Sequence, residues 1–559
     1  MTDIKAYGIT PYGAVPNERQ LRHFEMKKAF FHFGVNTFTG MEWGNGTERE
    51  HLFNPTECDV DQWIRTVKAA GFDLAILTAK HHDGFCLWPS AYTEHSVRTS
   101  PYQNGKGDIV KEFTDACRRH GIKAGLYLSP WDRHAPLWGK DEYSLFYADQ
   151  LTELMTNYGT IHEVWWDGAG SSETRYDWAL WASIIRKYQP EACIFGSMGA
   201  TPYVDLRWVG NERGTADKTH YASIDASSLL IETPAELNTG KQGGNRYIPS
   251  ECDVSIRPGW FYHASQDAKV KSVSRLNRLW FESVGRNSIM LLNFPPDRRG
   301  LVHENDARNA LRSHECITAM LEKDHLSHAS VTADSTLGTL VAQNLVNDDP
   351  DAFYASAEKT AVIDVRLPHP ETFNVFTVSE VLEAGERVSS WRLESIRAGV
   401  TTLLGEATSI GHLRALRIPL DAYDHLRLTV TGVEPPVLRA IHAYRFEDAT
   451  EEGDEADSNN LMLSETANVE ILPDRKHAVL SFGGIYPFNF VSFKNCGAGA
   501  YELFSFHGTQ YESVMKGNVE GGVQDLRLPK TIDGSYQIKI YSESGFSCSG
   551  EFDVRLKRG

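Results

Sequence analysis

The chain has 559 residues, of which 41% are hydrophobic and 23% charged, a composition typical of globular proteins with more than one domain. Its formal charge of −18 disfavours nucleic acids and anionic membrane surfaces, because both would repel it. The sequence has no apolar run of membrane-spanning length, and residues 1–8 lack the basic start and apolar segment of a secretory signal. We therefore predict a cytoplasmic protein with two or three domains that acts on a neutral small molecule or a glycan.

Between residues 27 and 293, short β-branched or aromatic segments alternate with longer segments of helical period, which is typical of repeated β-α units. The predicted strands are 29–35, 74–79, 123–128, 163–166, 193–196, 206–210, 247–250 and 288–293. The clearest helices are 60–70, 109–120, 142–158 and 268–284, whereas 203–244 is less regular. Eight strands are the number of a closed parallel barrel, so we predict a (β/α)8-like, TIM-type catalytic barrel over residues 1–325.

The pattern changes after residue 326 to short alternating segments separated by turns. Segments 339–343, 361–367, 389–395, 415–419 and 426–430 predict a β-sandwich over residues 326–440. A second block, with segments 478–482, 501–506, 535–541 and 551–556, predicts another small β-sandwich over 441–559. Between the two blocks, the acidic stretch 447–457 is expected to be a linker or an exposed loop. The predicted fold is thus an α/β barrel followed by all-β domains.

Polar and aromatic side chains follow most of the predicted barrel strands. Each alone could cap a helix or complete a core hydrogen bond. In a TIM barrel, however, the carboxyl ends of all strands meet at one mouth, where the active site forms. The residues that we expect to converge there are His32, Glu42, Trp43, His81, His82, Asp83, Trp131, Asp167 and Glu212.

Two carboxylates at such a mouth suit glycoside hydrolysis, in which one attacks the anomeric carbon and the other protonates the leaving oxygen. Metal-assisted hydrolysis with His81, His82 and Asp83 as ligands is the alternative chemistry. We favour the first interpretation, because adjacent histidines on an extended chain project in different directions. The eight cysteines also contain no Cys-x-x-Cys pair or zinc-like spacing. We predict neither a metal nor a cofactor.

Several segments resemble the signatures of glycoside hydrolase family 29, the retaining α-L-fucosidases. These are Phe31-His32-Phe33-Gly34, Glu42-Trp43, the stretch Ala-Lys-His-His-Asp-Gly-Phe at 79–85, Gly125-Leu126-Tyr127 and Trp165-Trp166-Asp167-Gly168. The resemblance spans about residues 25–295. It implies a barrel followed by a β-sandwich, no metal requirement, and removal of terminal L-fucose from fucosylated oligosaccharides by double displacement.

The resemblance also implies roles for individual residues. Asp167 matches the nucleophile, His32, His81 and His82 match the histidines that contact fucose hydroxyls, and Glu42-Trp43 matches the acidic and aromatic pair beside them. Trp131 is a further candidate for substrate contact.

The general acid/base varies in position within this family, and two glutamates compete for the role. We favour Glu212, in segment 208–214, over Glu251, which opens segment 251–263. Glu251 would then orient the sugar pocket or the substrate-binding candidate Arg257, or simply pair with Arg257. Trp260 is expected either to form a wall against the fucose methyl group or to pack beneath the last strands.

Segments 208–214 and 251–263 resemble the branch of the family that cleaves α-1,3 and α-1,4 fucosyl linkages, and we predict that preference. The alternatives are an α-L-fucosidase of broad or α-1,2 specificity and a glycan-binding barrel without catalysis. The sequence predicts no oligomeric state.

Overall fold

The computed structural model describes residues 2–170, 174–197, 199–225, 234–347, 349 and 351–449, and beyond them the strands given below. The chain divides into two units. The first contains residues 1–257 and 261–450, and the second contains 258–260 and 451–559. Within the described residues, every helix is too short or too polar to cross a membrane.

Eight parallel strands close into a barrel in the first unit, which confirms the predicted TIM-type fold. They are β1 (Lys28–Phe31), β2 (Leu74–Lys80), β3 (Lys123–Leu128), β4 (Glu163–Trp165), β5 (Cys193–Gly196), β6 (Leu206–Trp208), β7 (Ser250–Ser255) and β8 (Ile289–Asn293). Each strand pairs with its sequence neighbour, and β8 pairs with β1 to close the ring. All carboxyl ends therefore lie at one mouth.

The seventh barrel strand was predicted wrongly at 247–250. It runs over Ser250–Ser255, whereas Arg246–Tyr247 pairs antiparallel with Ser223–Ile224 in a separate ribbon. The apolar pattern is broken because Glu251 and Asp253 point into the barrel, where a sequence pattern expects hydrophobic side chains. As a result, Glu251 lies near the start of its strand and not beyond its carboxyl end.

Helices surround the barrel at Glu18–Phe24, Val60–Ala69, Ile109–His120, Tyr143–Asn157, Trp178–Tyr188, Val273–Glu282 and Glu304–Leu321, with short helices at Val35–Thr39 and Pro234–Thr239. Asp59, Asp108 and Asp177 cap three of them by accepting a backbone N–H from the first turn. Four of the helices around the barrel were predicted from apolar residues spaced three and four positions apart, and those residues form their buried faces.

A seven-stranded antiparallel sheet follows the barrel in the same unit, which confirms that the chain after the barrel is all-β there. Its strands are Ser330–Ala333, Tyr354–Ala355, Thr360–Glu380, Val388–Arg397, Val400–Ala407, Arg414–Gly432 and Val437–Tyr444. Phe373, Phe376 and Trp391 are buried in its core. The strand predicted at 339–343 is wrong, because Ala342–Val346 forms a 3-10 helix there.

The second unit contains a five-stranded and a three-stranded antiparallel sheet. Their strands are Asn468–Ile471, His477–Phe482, Phe488–Cys496, Gly499–His507, Gln510–Val519, Gly522–Ile532, Tyr536–Ser542 and Phe552–Arg555. Each of the four segments predicted here overlaps one of these strands. Most of the acidic stretch 447–457 lies outside the described residues, and the division at residues 325 and 440 stays a prediction.

Candidate active site

Asp167 lies at the barrel mouth, two residues beyond β4, and its side chain is 29% exposed. Its Oδ2 accepts a hydrogen bond from the hydroxyl of Tyr127 at 3.0 Å, and its Oδ1 accepts one from the backbone N–H of Ala169 at 2.8 Å. Burial raises the pKa of Tyr127 well above its ordinary value, so this hydroxyl keeps its proton and remains a donor. The two donors hold the carboxylate in one orientation.

His82 stands beside this carboxylate, with its Nε2 3.8 Å from Asp167 Oδ2. Its Nδ1 lies 2.7 Å from Ser129 Oγ, and that hydroxyl donates its single hydrogen to the carbonyl of Trp131 at 2.7 Å. The Nδ1 of His82 must therefore be the donor to Ser129. Burial lowers the pKa of His82, so the neutral ring carries a lone pair on Nε2, next to the carboxylate.

His32 is fixed in the same tautomer by a different partner. Its Nδ1 lies 2.9 Å from Asn293 Oδ1, and the backbone N–H of His32, which can only donate, bonds to the same atom at 3.1 Å and so identifies it as the amide oxygen. Nδ1 of His32 is thus the donor and Nε2 the acceptor. Burial lowers the pKa of His32 to about 3, which keeps the ring neutral.

His81 lies between the other two histidines, with ring centroids 5.5 Å from His32 and 4.1 Å from His82. Its ring stacks on Tyr127 at 5.7 Å, and burial holds its pKa well below the ordinary value. Nδ1 of His81 is buried and has no hydrogen-bond partner among the described residues. The three histidines predicted from the sequence therefore form one neutral cluster that can bind uncharged hydroxyl groups.

The outer rim of the mouth is aromatic. Trp43 is 48% exposed and contacts His82 and Trp131 edge-on, with centroids 6.0 and 5.6 Å away. Trp131 in turn lies 5.1 Å from His82, and the Arg133 guanidinium lies 5.1 Å from the Trp131 ring. Both predicted tryptophans thus stand next to the histidine cluster and leave indole surface open at the rim.

Glu42 connects the rim to a segment that follows β7. Its carboxylate accepts the backbone N–H of Phe261 at 3.2 Å and lies 3.3 Å from Nε2 of His263. The buried ring of Phe261 meets His32 and His81 edge-on at 5.5 and 5.0 Å. Glu42 therefore holds an apolar ring against the histidine cluster.

Glu212 is exposed on the loop that follows β6. The loop is anchored because Val209 N–H donates to the carbonyl of Glu251 at 3.1 Å and the Asn211 amide donates to the carbonyl of Thr215 at 2.9 Å. Trp260 belongs to the three residues that group with the second unit, so its role at the mouth stays a prediction.

The arrangement agrees with three comparisons. The α-L-fucosidase family model matches residues 14–313, more than half of the chain. An Arabidopsis thaliana protein named alpha-L-fucosidase 1 is 39% identical over 422 residues, which are 73% of this chain and 82% of that protein.

Two solved structures have a fold similar to that of this chain. A glycoside hydrolase 29 family member from an unknown rumen bacterium has a TM-score of 0.72 and 32% identity, covering 98% of this chain and 100% of that one. A GH29 fucosidase from Ruminococcus gnavus in complex with fucose has a TM-score of 0.72 and 30% identity, covering 78% of this chain and 96% of that one.

The chain belongs to the α-L-fucosidase family, glycoside hydrolase family 29. It is accordingly a glycoside hydrolase, and its family implies a fucosylated glycan as substrate.

Two of the predicted site residues of this fucosidase are fully buried and bonded to charged partners. Glu251 is fully buried near the start of β7, four residues before the end of that strand, or about 13 Å along it. Its carboxylate bonds to Lys28 Nζ and to Trp165 Nε1. Glu163, at the start of β4, also accepts from Lys28 Nζ, at 2.7 Å. These bonds occupy Glu251 in a structural ion cluster inside the barrel.

Arg257 lies two residues beyond the carboxyl end of β7, and it does not pair with Glu251. Its guanidinium is fully buried and bonds to Asp306 and Asp267, each at 2.8 Å. The ring of Tyr262 stacks over it at 4.7 Å. Arg257 therefore fixes the segment after β7 to the helix Glu304–Leu321 through Nε and Nη1. Its Nη2 is buried without a hydrogen-bond partner among the described residues, and a contact with the substrate stays a prediction.

The metal-ligand alternative for residues 81–83 is not favoured by the side-chain directions. Asp83 is buried and accepts hydrogen bonds from the Phe85 N–H at 2.7 Å and the Asn36 amide at 3.0 Å. His82 is turned toward Ser129 instead, as described above. His82 and Asp83 thus have separate hydrogen-bond partners.

Sequence reasoning missed four residues that build this fucosidase site: Tyr127, Ser129, Asn293 and Phe261. Three of them lie within one residue of the carboxyl end of a barrel strand, β3 or β8. Searching every strand end for hydroxyl and amide side chains would have found them. No local signal indicated Phe261, because its neighbours His32 and His81 are distant from it in sequence.

Proposed function

We propose that this protein is a retaining α-L-fucosidase that acts by double displacement, with Asp167 as nucleophile and Glu212 as general acid/base. The observation that carries the proposal is the Asp167 carboxylate itself. It sits at the barrel mouth, held by Tyr127 and the Ala169 N–H, beside a neutral histidine. A carboxylate oriented in this way can attack an anomeric carbon bound against the histidine cluster.

The cluster suits a deoxy sugar that carries hydroxyls and a methyl group. Nε2 of His32 and of His82 are acceptors, so each can take a hydrogen bond from a sugar hydroxyl. The Phe261 ring, edge-on to His32 and His81, offers apolar surface for a methyl group. Since all three imidazoles are neutral, the pocket favours an uncharged sugar over an acidic one.

In the first displacement Asp167 forms a bond to the anomeric carbon, and the Glu212 carboxyl gives its proton to the departing oxygen. In the second, Glu212 takes a proton from water, which attacks the same carbon and releases Asp167. The exposure of Glu212 on an anchored loop supports this role, because the group must meet both a leaving sugar and water.

Replacing Asp167 tests the nucleophile. Asp167→Gly should nearly abolish hydrolysis of an aryl fucoside, and added azide should restore cleavage with an azide product of opposite anomeric configuration. The matched control is Asp177→Ala, which removes an aspartate that only caps a helix and should retain activity. Substantial unaided hydrolysis by folded Asp167→Gly would contradict the assignment.

Replacing Glu212 tests the acid/base. Glu212→Ala should slow natural oligosaccharides far more than an activated fucoside, because only the poor leaving group needs a proton. Azide should rescue it with retained configuration. Glu251→Ala is the comparison variant, and if it alone behaved in this way the two roles would be exchanged.

We further propose a preference for α-1,3- and α-1,4-linked fucose on a branched acceptor. The open indole surface of Trp43 and Trp131, outside the histidine cluster, supports a second sugar-binding surface. A branching sugar held there would add binding energy in the transition state, which a linear α-1,2 substrate could not gain.

Specific activity on Lewis-type trisaccharides and on 2′-fucosyllactose, each with and without a chelator, decides the linkage. Trisaccharide cleavage should be faster and unaffected by the chelator. Faster cleavage of the α-1,2 linkage would contradict the preference, and glycan binding without any fucose release would favour the non-catalytic alternative.

A further inference from the structure

Arg133 is an exposed side chain that joins the loops of the two rim tryptophans. Its guanidinium carbon lies over the Trp131 ring, 5.1 Å from the ring centre. Its Nη1 donates a hydrogen bond to the carbonyl of Gly44, the residue after Trp43. The two indoles meet nearly at right angles, with an angle of 77° between the rings and centroids 5.6 Å apart. Together they form an open corner at the mouth, and Arg133 contacts both of its sides.

The backbone is held on both sides of Trp43. The carbonyl of Glu42, before it, accepts the Asn36 amide at 3.1 Å, and the carbonyl of Gly44, after it, accepts the Arg133 guanidinium. A Cβ added at Gly44, whose φ is +64°, would lie 2.8 Å from Asn36 Oδ1, so only a glycine allows the chain to approach this closely. Arg133 therefore fixes the backbone one residue away from the Trp43 indole.

Arg133 itself extends from a fixed loop. The buried Asp132 accepts the His134 N–H on Oδ1 at 3.1 Å and the Lys80 ammonium on Oδ2 at 2.8 Å. Lys80 is the last residue of β2, so this ion pair ties the loop to the barrel wall. Nδ1 of His134 lies 2.8 Å from the carbonyl oxygen of Gly46, to which it donates. The two loops are thus joined at two points, and Arg133 supplies the one at the tryptophans.

We infer that Arg133 is a positioning residue for the branched acceptor: it covers Trp131 while it holds the Gly44 carbonyl, and so keeps the two indoles at the angle that receives the branching sugar. The inference rests on the proposed preference for branched acceptors. A pyranose in this corner can lay its C–H face on one indole and its edge against the other. A substrate without a branch leaves the corner empty. Arg133 should therefore affect the choice of substrate and not the chemistry at the anomeric carbon.

Arg133→Lys separates the shape of the side chain from its charge. The variant keeps the positive charge that acts on His82, but an ammonium lacks the planar fork that covers an indole and holds a carbonyl at once. For a Lewis-type trisaccharide, KM should rise about tenfold at unchanged kcat, through the loss of one hydrogen bond and one cation–π contact. An activated aryl fucoside has no branching sugar, so its kcat/KM should stay within about twofold. Equal losses on both substrates, or no loss on either, would overturn the inference.

Arg246→Lys is the matched control. Arg246 lies in the separate ribbon with Ser223–Ile224 and also donates to backbone carbonyls, those of Pro202 at 3.1 Å and Val204 at 3.4 Å. The same substitution there should leave the kinetics on both substrates unchanged. A trisaccharide-specific rise of KM in this control would show that the effect does not belong to the rim, which would also overturn the inference.

A double-mutant cycle tests whether Arg133 acts through Trp43. Trp43→Ala removes the indole that Arg133 is inferred to place. Adding Arg133→Lys to it should therefore weaken trisaccharide cleavage by no more than about twofold further. If the guanidinium bound the sugar directly, the two losses would multiply in the double variant, and the positioning role would be wrong.

The two hypotheses fail separately. If Trp43→Ala and Trp131→Ala cleave Lewis-type trisaccharides like wild type, the proposed second sugar-binding surface is wrong. If both variants lose trisaccharide activity but Arg133→Lys keeps the KM of wild type, only the role of Arg133 is wrong.

Discussion

Tyr127→Phe removes one hydroxyl and tests how Asp167 is used through the catalytic cycle. The hydroxyl donates to Asp167 Oδ2 at 3.0 Å, and the side chain is fully buried. A hydrogen bond to a charged group contributes about 1.5–3 kcal/mol. Under the proposed mechanism, that charge is complete in the free enzyme, about half transferred in each transition state, and absent in the covalent intermediate. The free enzyme therefore loses more than the first transition state does, and the intermediate loses nothing.

The rate constants should change in a specific pattern. The barrier from the intermediate to the second transition state should rise by half the bond energy, about 0.7–1.5 kcal/mol, which is about 3- to 12-fold in rate. For an activated fucoside, whose second step limits turnover, kcat should fall by this factor. The barrier from the free enzyme to the first transition state drops by the same half of the bond energy, so kcat/KM should rise about 3- to 12-fold and KM should fall more steeply than kcat. A pre-steady-state burst of the leaving group should report the accumulated intermediate.

Tyr147→Phe is the matched control, because its buried hydroxyl donates to the carbonyl of Leu128 at 2.7 Å and not to Asp167. Tyr147→Phe should lose about 1 kcal/mol of stability, the typical net value of a neutral hydrogen bond, and Tyr127→Phe about 1.5–3 kcal/mol, because its acceptor is charged. Only Tyr127→Phe should change the kinetics. The reasoning would be refuted by a tenfold fall in kcat/KM at constant KM without a burst, since the hydroxyl would then act on the first step.

Two further predictions concern the tautomer of His82 and the ion cluster inside the barrel. Ser129→Ala removes the acceptor of the His82 Nδ1–H, so kcat/KM should fall about fivefold, the equivalent of about 1 kcal/mol. An unchanged kcat/KM, or unchanged NMR signals of the ring nitrogens, would contradict the tautomer assigned to His82. Lys28→Met leaves two buried carboxylates without their cation and should cost about 3–5 kcal/mol of unfolding free energy. The loss should be larger at pH 8 than at pH 5, because burial raises the pKa of Glu251 to about 7 and this carboxyl can take up a proton at the lower pH. Lys27→Met, at the neighbouring but partly exposed lysine, is the control, and an equal effect of both variants would refute the role of the cluster.

Elements whose signals are local could be predicted well from the sequence. The helix Ile109–His120 agrees with its prediction at both ends. Asp108 caps its first turn, and Gly121, at a φ of +71°, ends it, so both boundaries are encoded by adjacent residues. The positions of Asp167 and of the histidine cluster could be anticipated for a related reason, since each lies at or directly beyond a strand that a short apolar run marks clearly.

The predictions were wrong at positions whose structure depends on residues far away in sequence. The strand Ser250–Ser255 carries two inward carboxyl groups, which are stable only because Lys28 and Trp208 arrive from other strands. Missing that strand moved Glu251 to the wrong end of the barrel. The alternative ion pair between Arg257 and Glu251 is likewise wrong, because nothing near Arg257 in sequence indicates Asp306, 49 residues away, as its partner.

The filled interior beneath Asp167 has a consequence for the order of events in turnover. Lys28, Glu163 and Glu251 are fully buried there, and Trp165 stacks flat on Phe195 at 3.9 Å. A sugar that enters the barrel cannot leave through its floor. Under the proposed double displacement, the departing glycan must therefore leave through the mouth before water can reach the bound fucosyl group, and water enters by the same route. A sugar hydroxyl that is bound at the mouth competes with water for the anomeric carbon. The concentration of sugar acceptors should therefore determine how often the enzyme transfers fucose to an acceptor instead of releasing it.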